Sequence, residues 1–169
     1  MDKLELKASL SVTDDGQIAG IAWPFGSPDK VGDLITMGAF GVILADLPIL
    51  YQHNPADLVG TWTEAAETDA GLVVKGQLHL DHARARSVRA MLRSGLVSGL
   101  SIGFRTKSAT KQGRNRIITA LDLAEISLVH EPSHPRARIL SAKSDITAAA
   151  VIADIINRAT AALRKDYLK

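Results

Sequence analysis

The chain of 169 residues contains no cysteine. That excludes disulfides, thiol nucleophiles and thiolate-held metals. Aromatic residues make up only 4% of it, too few for the stacking platforms on which single-stranded nucleic acids are bound. Neither sign of charge prevails: 20 Lys and Arg face 18 Asp and Glu, a net charge of +2, which is not the basic footprint of a nucleic-acid partner. No apolar run approaches the roughly 18 residues of a membrane span. The first residues, Met-Asp-Lys-Leu-Glu-Leu-Lys, alternate charge with apolarity and lack the apolar core of a signal peptide. Neither a nucleic-acid nor a membrane partner is therefore expected.

What the chain does have is 46% hydrophobic residues, enough for a buried core without disulfide or metal staples. Its length suits one domain, or one domain with an appendage. Apolar residues at Leu4, Leu6, Ala8, Leu10 and Val12 alternate with polar ones, as do Ile18, Gly20 and Ala22 beyond the turn signal Asp14-Asp15-Gly16. Period two predicts a hairpin over 4–23. A short helix is expected over 38–46, then a buried strand over 49–53 ended by Asn54-Pro55. Another hairpin is expected from 59–68 and 72–80, closed by Thr68-Asp69-Ala70-Gly71. Asp81 reads as the N-cap of a helix over 82–94, with Ala85, Val88, Met91 and Leu92 on one face and Gly95 as its stop. Arg84, Arg86, Arg89 and Arg93 lie mostly off that face and read as a solvated surface. A strand to about Lys107, a polar turn over 108–115 and a long, bent or bulged strand over 116–130 follow, ended by Pro132 and Pro135. The pattern becomes helical after Ser141, with Ile146, Val151, Ile152, Ile155, Ile156 and Leu163 forming a face. Two units are expected: a β domain over 1–140, and a linker with a C-terminal helix over 141–169.

The chemistry centres on Gly95-Leu-Val-Ser-Gly-Leu-Ser-Ile-Gly-Phe104. Ser101 lies between Leu100 and Ile102 with glycines just beyond, so a substrate backbone could approach its hydroxyl on a rigid strand. Ser98 is three residues away and faces the other side of an extended strand. His53 closes an apolar strand at the sheet rim, where an imidazole can act as a general base. Glu125 is a carboxylate inside the apolar run Leu121–Val129 and needs a partner if buried. A strand-borne serine, a strand-end histidine and a buried acid permit a Ser–His–acid arrangement, in which the acid orients the imidazole. His79 and His82 flank a strand–helix junction without a third ligand nearby, which favours a structural role over a metal site.

Four blocks then resemble the tailed-phage prohead (capsid maturation) proteases, in the order of that family: Gly32–Phe40, Pro48–Pro55 with Gly60 after it, Leu96–Phe104, and Leu121–Val129 with Pro132 and Pro135. The resemblance implies a fold similar to the herpesvirus maturation proteases: α+β, a small closed or nearly closed, mostly antiparallel β-barrel flanked by helices, with a C-terminal helix. It implies a serine endopeptidase that cuts scaffold and major capsid proteins, and its own chain, inside an assembling prohead in the host cytoplasm. It implies Ser101 as nucleophile, His53 as base and Glu125 as third member, with no cofactor or metal. His130, in His-Glu-Pro-Ser-His134, is a rival for the third role, because the herpesvirus relatives use a second histidine there. Homo-oligomerisation is expected on the same ground. The alternative is a non-catalytic capsid-assembly or scaffold protein that keeps the fold.

Overall fold

The structure is a computed structural model that describes residues 12–43 and 45–139. Eight strands and one helix are found among them. They run as β1 (Gln17–Pro24), β2 (Asp33–Ile35), β3 (Leu47–Tyr51), β4 (Asn54–Thr68), β5 (Gly71–Leu78), α1 (Ala83–Ser94), β6 (Gly99–Gln112), β7 (Asn115–Val129) and β8 (Arg138–Ile139).

Seven of the strands close on themselves in the order β7-β3-β4-β5-β1-β8-β6, with β6 pairing back to β7. Closure removes the edges that would otherwise present unpaired backbone groups. Most ladders are antiparallel, but β3 lies parallel to β7 at Ile49–Tyr51 against Ile126–Leu128. The eighth strand, β2, pairs parallel with the other end of β7, anchored by the Arg116 guanidinium on the Asp33 carboxylate at 2.7 and 2.5 Å. The core fills the barrel with one face of each strand: Ile18 and Ala22 from β1, Val59 and Trp62 from β4, Leu72 and Val74 from β5, Leu100 and Ile102 from β6, Ile126 and Leu128 from β7. The Trp62 indole donates to the Ile126 carbonyl at 2.9 Å, so its polar edge is satisfied inside the core. Where β8 crosses β1, Gly20 leaves room: a Cβ there would lie 2.7 Å from the Arg138 carbonyl oxygen.

The helix forms as its pattern predicts. Ala85, Val88 and Leu92 are buried, and α1 packs against β4. Burying Val88 and Leu92 contributes about 1.5–3 kcal/mol each. Gly95 ends the helix in the left-handed region at φ 79°, as a C-terminal glycine does. The N-cap, however, is His82 and not Asp81, and no side chain caps the end. The arginines, read as a solvated face, also tie the helix down: Arg84 to Asp57 at 2.8 Å, Arg86 to the Leu80 and Asp81 carbonyls, Arg93 to Asp14.

Other boundaries shift for physical reasons. Residues 38–43 and 45–46 form turns and bends and not the expected helix, since Gly38, Gly41 and Asp46 adopt φ of 88°, 58° and 62°, and an α-helix needs negative φ throughout. The β6–β7 hairpin is longer than its polar composition suggested. Only Gly113 and Arg114 turn, and the residues on either side pair across the ladder with several bulges. The expected turn at Asp14–Gly16 is present, and Val12 bridges Ile18 across it. The first strand of that hairpin and the C-terminal helix lie outside the described residues.

Candidate active site

Three neighbouring strands, β6, β7 and β3, carry the site. Register places Ser101 opposite Ser127 on one side of β7 and Leu50 opposite Ser127 on the other. Gly103 stands opposite Glu125. Leu100, Ile102, Ile126 and Leu128 point into the barrel and are buried. Period two therefore turns Ser101, Gly103, Glu125 and Ser127 to the outer face.

His53 reaches this face from the β3–β4 connection. The strand does not end at Asn54-Pro55 as the sequence suggested: β4 already begins at Asn54, and the turn is Gln52-His53, with Tyr51 paired to Asn54. Both turn residues have positive φ, 54° and 58°. That is the signature of a two-residue type I′ hairpin turn, which Asn and Gly ordinarily occupy. A non-glycine residue in this region carries strain, and such strain concentrates at functional sites. The turn is held by the Gln52 N–H on the Leu128 carbonyl at 3.0 Å and by the His53 N–H on the Ser127 hydroxyl at 3.2 Å.

The His53 imidazole meets Glu125 at 2.5 Å, Nδ1 to Oε1. A carboxylate only accepts, so Nδ1 carries the proton and the neutral ring keeps its lone pair on Nε2. The second carboxylate oxygen accepts the Ser127 hydroxyl at 2.6 Å. Glu125 is thus held at both oxygens, and its side chain is 13% exposed against 43% for His53. The hydrogen bond to Glu125 raises the His53 pKa above its ordinary value; burial opposes the shift, and the negative charge of Glu125 adds to it. Gly103 makes room for the acid. A Cβ at that position would come 2.9 Å from the Glu125 carboxyl carbon and nearer still to Oε1.

Ser101 is 5% exposed. Its hydroxyl lies 3.4 Å from the Ser133 hydroxyl, and no hydrogen bond joins it to His53. Ser98 precedes β6, and its carbonyl accepts the Ile139 N–H at 3.0 Å. His130 is engaged elsewhere. Its Nδ1 donates to the Leu96 carbonyl at 2.9 Å and its Nε2 accepts the Tyr51 hydroxyl at 2.9 Å, so both ring nitrogens are taken. His79 contacts the Thr61 hydroxyl at 3.0 Å, and no group of three or more potential metal ligands occurs among the described residues. The sequence reading passed over Ser127 and Ser133. Ser127 was within reach of it, since a residue two after Glu125 shares its face of the strand; Ser133, in the loop after β7, carried no such signal.

A family model described as caudovirus prohead serine protease matches residues 2–150. The prohead protease of Enterobacteria phage HK97 is 34% identical over 154 residues, which are 85% of this chain and 67% of that protein. The capsid polyprotein of Pseudomonas phage PAJU2 is 34% identical over 151 residues, 83% of this chain but 22% of the polyprotein. A match over most of the chain, on a closed β-barrel, makes this chain a member of the caudovirus prohead serine protease family.

Proposed function

We propose that this chain cleaves capsid and scaffold proteins during prohead maturation, with Ser101 as nucleophile, His53 as general base and Glu125 as the acid that orients it. The observation that carries the residue assignment is the 2.5 Å contact between His53 Nδ1 and Glu125, on the face that also bears Ser101. With Nδ1–H committed to the carboxylate, Nε2 is the nitrogen that takes a proton. Ser101 Oγ attacks the scissile carbonyl carbon while its proton passes to His53 Nε2. The carbonyl electron pair moves onto oxygen, and the imidazolium, stabilised by Glu125, returns the proton to the leaving amine. Water then releases the acyl group by the same proton route. The free chain has no hydrogen bond between Ser101 and His53, and catalytic hydrogen bonds often tighten only when substrate is bound.

The substrates are inferred from the family description and from the names of the relatives, one a prohead protease and one a capsid polyprotein. Action inside the assembling shell, and cleavage of its own chain, follow from the same reading. A fluorophosphonate probe tests the assignment. Wild-type protein is expected to be labelled at Ser101, Ser101→Ala to be unlabelled and unable to cut capsid or scaffold protein, and Ser98→Ala to retain much of both. Full cleavage by Ser101→Ala, or its loss in Ser98→Ala, overturns it.

A further inference from the structure

The Ser133 hydroxyl, 3.4 Å from Ser101 Oγ, has no part in the Ser101, His53, Glu125 arrangement. It belongs to the loop between β7 and β8, and that loop is pinned on both sides of it. Pro132 is buried against the first residue of β6, where a Cβ on Gly99 would lie 2.7 Å from Pro132 Cδ. The Ser133 carbonyl accepts the Lys30 N–H at 3.1 Å. His134 is 1% exposed. Its Nε2 donates to the Ser27 carbonyl at 3.1 Å and its Nδ1 accepts the Arg136 N–H at 3.2 Å. Acceptance at Nδ1 requires a neutral ring that carries its proton on Nε2. The ring edge also packs on Trp23, with centroids 5.1 Å apart. A serine between a buried proline and a buried, doubly bonded histidine has little freedom, so its hydroxyl is preorganised relative to β6.

We infer that the Ser133 hydroxyl is an oxyanion donor for the reaction at Ser101. The inference rests on Ser101 being the nucleophile. When Ser101 Oγ bonds to the carbonyl carbon, the displaced electron pair collects on an oxygen attached to that same carbon. That oxygen therefore forms within one bond angle of Ser101 Oγ. A donor already beside Ser101 Oγ can reach it at hydrogen-bonding distance, about 2.7–3.1 Å for an effective oxyanion donor. In the free enzyme the two hydroxyls face each other at 3.4 Å. Attack converts Ser101 Oγ into an ester-like oxygen, a poorer acceptor, and creates a charged acceptor next to it. The Ser133 proton then bonds the oxyanion without any movement of the loop. Such a bond is made in the transition state and not to the resting substrate, so it raises the chemical rate and leaves binding unchanged.

The test uses full-length protein and an alkyl fluorophosphonate. In that reaction Ser101 Oγ bonds to phosphorus, fluoride leaves, the serine proton goes to His53, and the phosphonyl oxygen occupies the oxyanion position. Inactivation is followed over a range of probe concentrations to separate the maximal rate from the half-saturating concentration, alongside thermal melts. Ser133→Ala is expected to lower the maximal rate by about 10²-fold, in line with loss of one donor, with half-saturation unchanged. Ser133→Thr, which restores a hydroxyl, is expected to recover most of the rate. A Ser133→Ala rate within threefold of wild type, while Ser101→Ala is unlabelled, overturns the donor role and leaves the nucleophile assignment intact. If Ser133→Ala fails to fold, the isosteric pair Ser133→Thr and Ser133→Val replaces it: a hydroxyl-dependent difference supports the proposal, and equal rates overturn it. Labelling of Ser101→Ala at the wild-type rate overturns the nucleophile assignment and the proposal with it.

Discussion

Replacing Glu125 by glutamine changes one oxygen to an amide nitrogen at a carboxylate that has two partners. Oε1 accepts from His53 Nδ1 and Oε2 accepts from the Ser127 hydroxyl. A glutamine cannot accept at both positions. If its NH2 group faces His53, the imidazole must carry its proton on Nε2, and that nitrogen can no longer take one from Ser101. If its oxygen faces His53, the tautomer survives but the charge that stabilises the imidazolium is gone, and the Ser127 hydroxyl loses its acceptor. An acid-to-amide change in a buried triad costs about 10⁴ in rate, or about 5.4 kcal/mol at 1.36 kcal/mol per decade. Here the His53 side chain is 43% exposed, and water screens part of the charge interaction. The expected loss is about 10²–10³, or about 2.7–4 kcal/mol. The pH profile supplies a second signature. Glu125 raises the His53 pKa, first through the hydrogen bond, so the wild-type rate rises with pH through a midpoint above the ordinary histidine value of about 6.5. In Glu125→Gln that midpoint falls back toward 6.5. For folding, the raised pKa means that the pair's contribution to stability is fully present below about 6.5 and is lost as pH rises through the folded-state pKa. The pair thus stabilises the fold most where the base is protonated and inactive. Fluorophosphonate inactivation rates between pH 5 and 9 measure both signatures, with His130→Ala as the comparison. That variant should lose less than about tenfold, since both nitrogens of His130 are bound away from the site. A Glu125→Gln rate within threefold of wild type with an unmoved midpoint, or a more severe His130→Ala, refutes the assignment of the third residue.

Gly103→Ala should cost about 10² or more in labelling rate with a smaller effect on melting, because its methyl group displaces the Glu125 carboxylate; wild-type labelling by a folded Gly103→Ala would show that the carboxylate's placement is dispensable. Gln52→Asn should raise the melting temperature by about 2–4 °C, since asparagine tolerates the left-handed region that Gln52 occupies at φ 54° and relief of about 1 kcal/mol has that effect in a domain of this size; an unchanged or lower melt would mean that the turn is not strained. Removing residues 144–169 should leave a folded barrel that self-associates less, as Ile146, Val151, Ile152, Ile155, Ile156 and Leu163 recur in the sequence at helical spacing and are too many to leave in water. Size exclusion with light scattering checks this, and an unchanged mass or an unfolded truncation would place those residues in the monomer's core.

Local chemistry was legible in the chain itself. Alternation marks the strands and their inward faces, Gly95 stops the helix, and the chain turns at Asp14–Gly16 and Thr68–Gly71, because each of these signals acts over a few residues. The glycines at 38 and 41 show its limit. They were compatible with a helix by composition, and only their positive φ in the folded chain excluded one. The resemblance singled out Ser101, His53 and Glu125, but period two says which face a side chain takes and not which strand lies beside it. The parallel pairing of β3 with β7 brings His53 to Glu125 across 72 positions. The same closure turns His130 toward Tyr51 and Leu96, and sets the β7–β8 loop with Ser133 against Ser101. These contacts depend on how the barrel closes, and closure is decided by the packing of the whole core, not by any one segment.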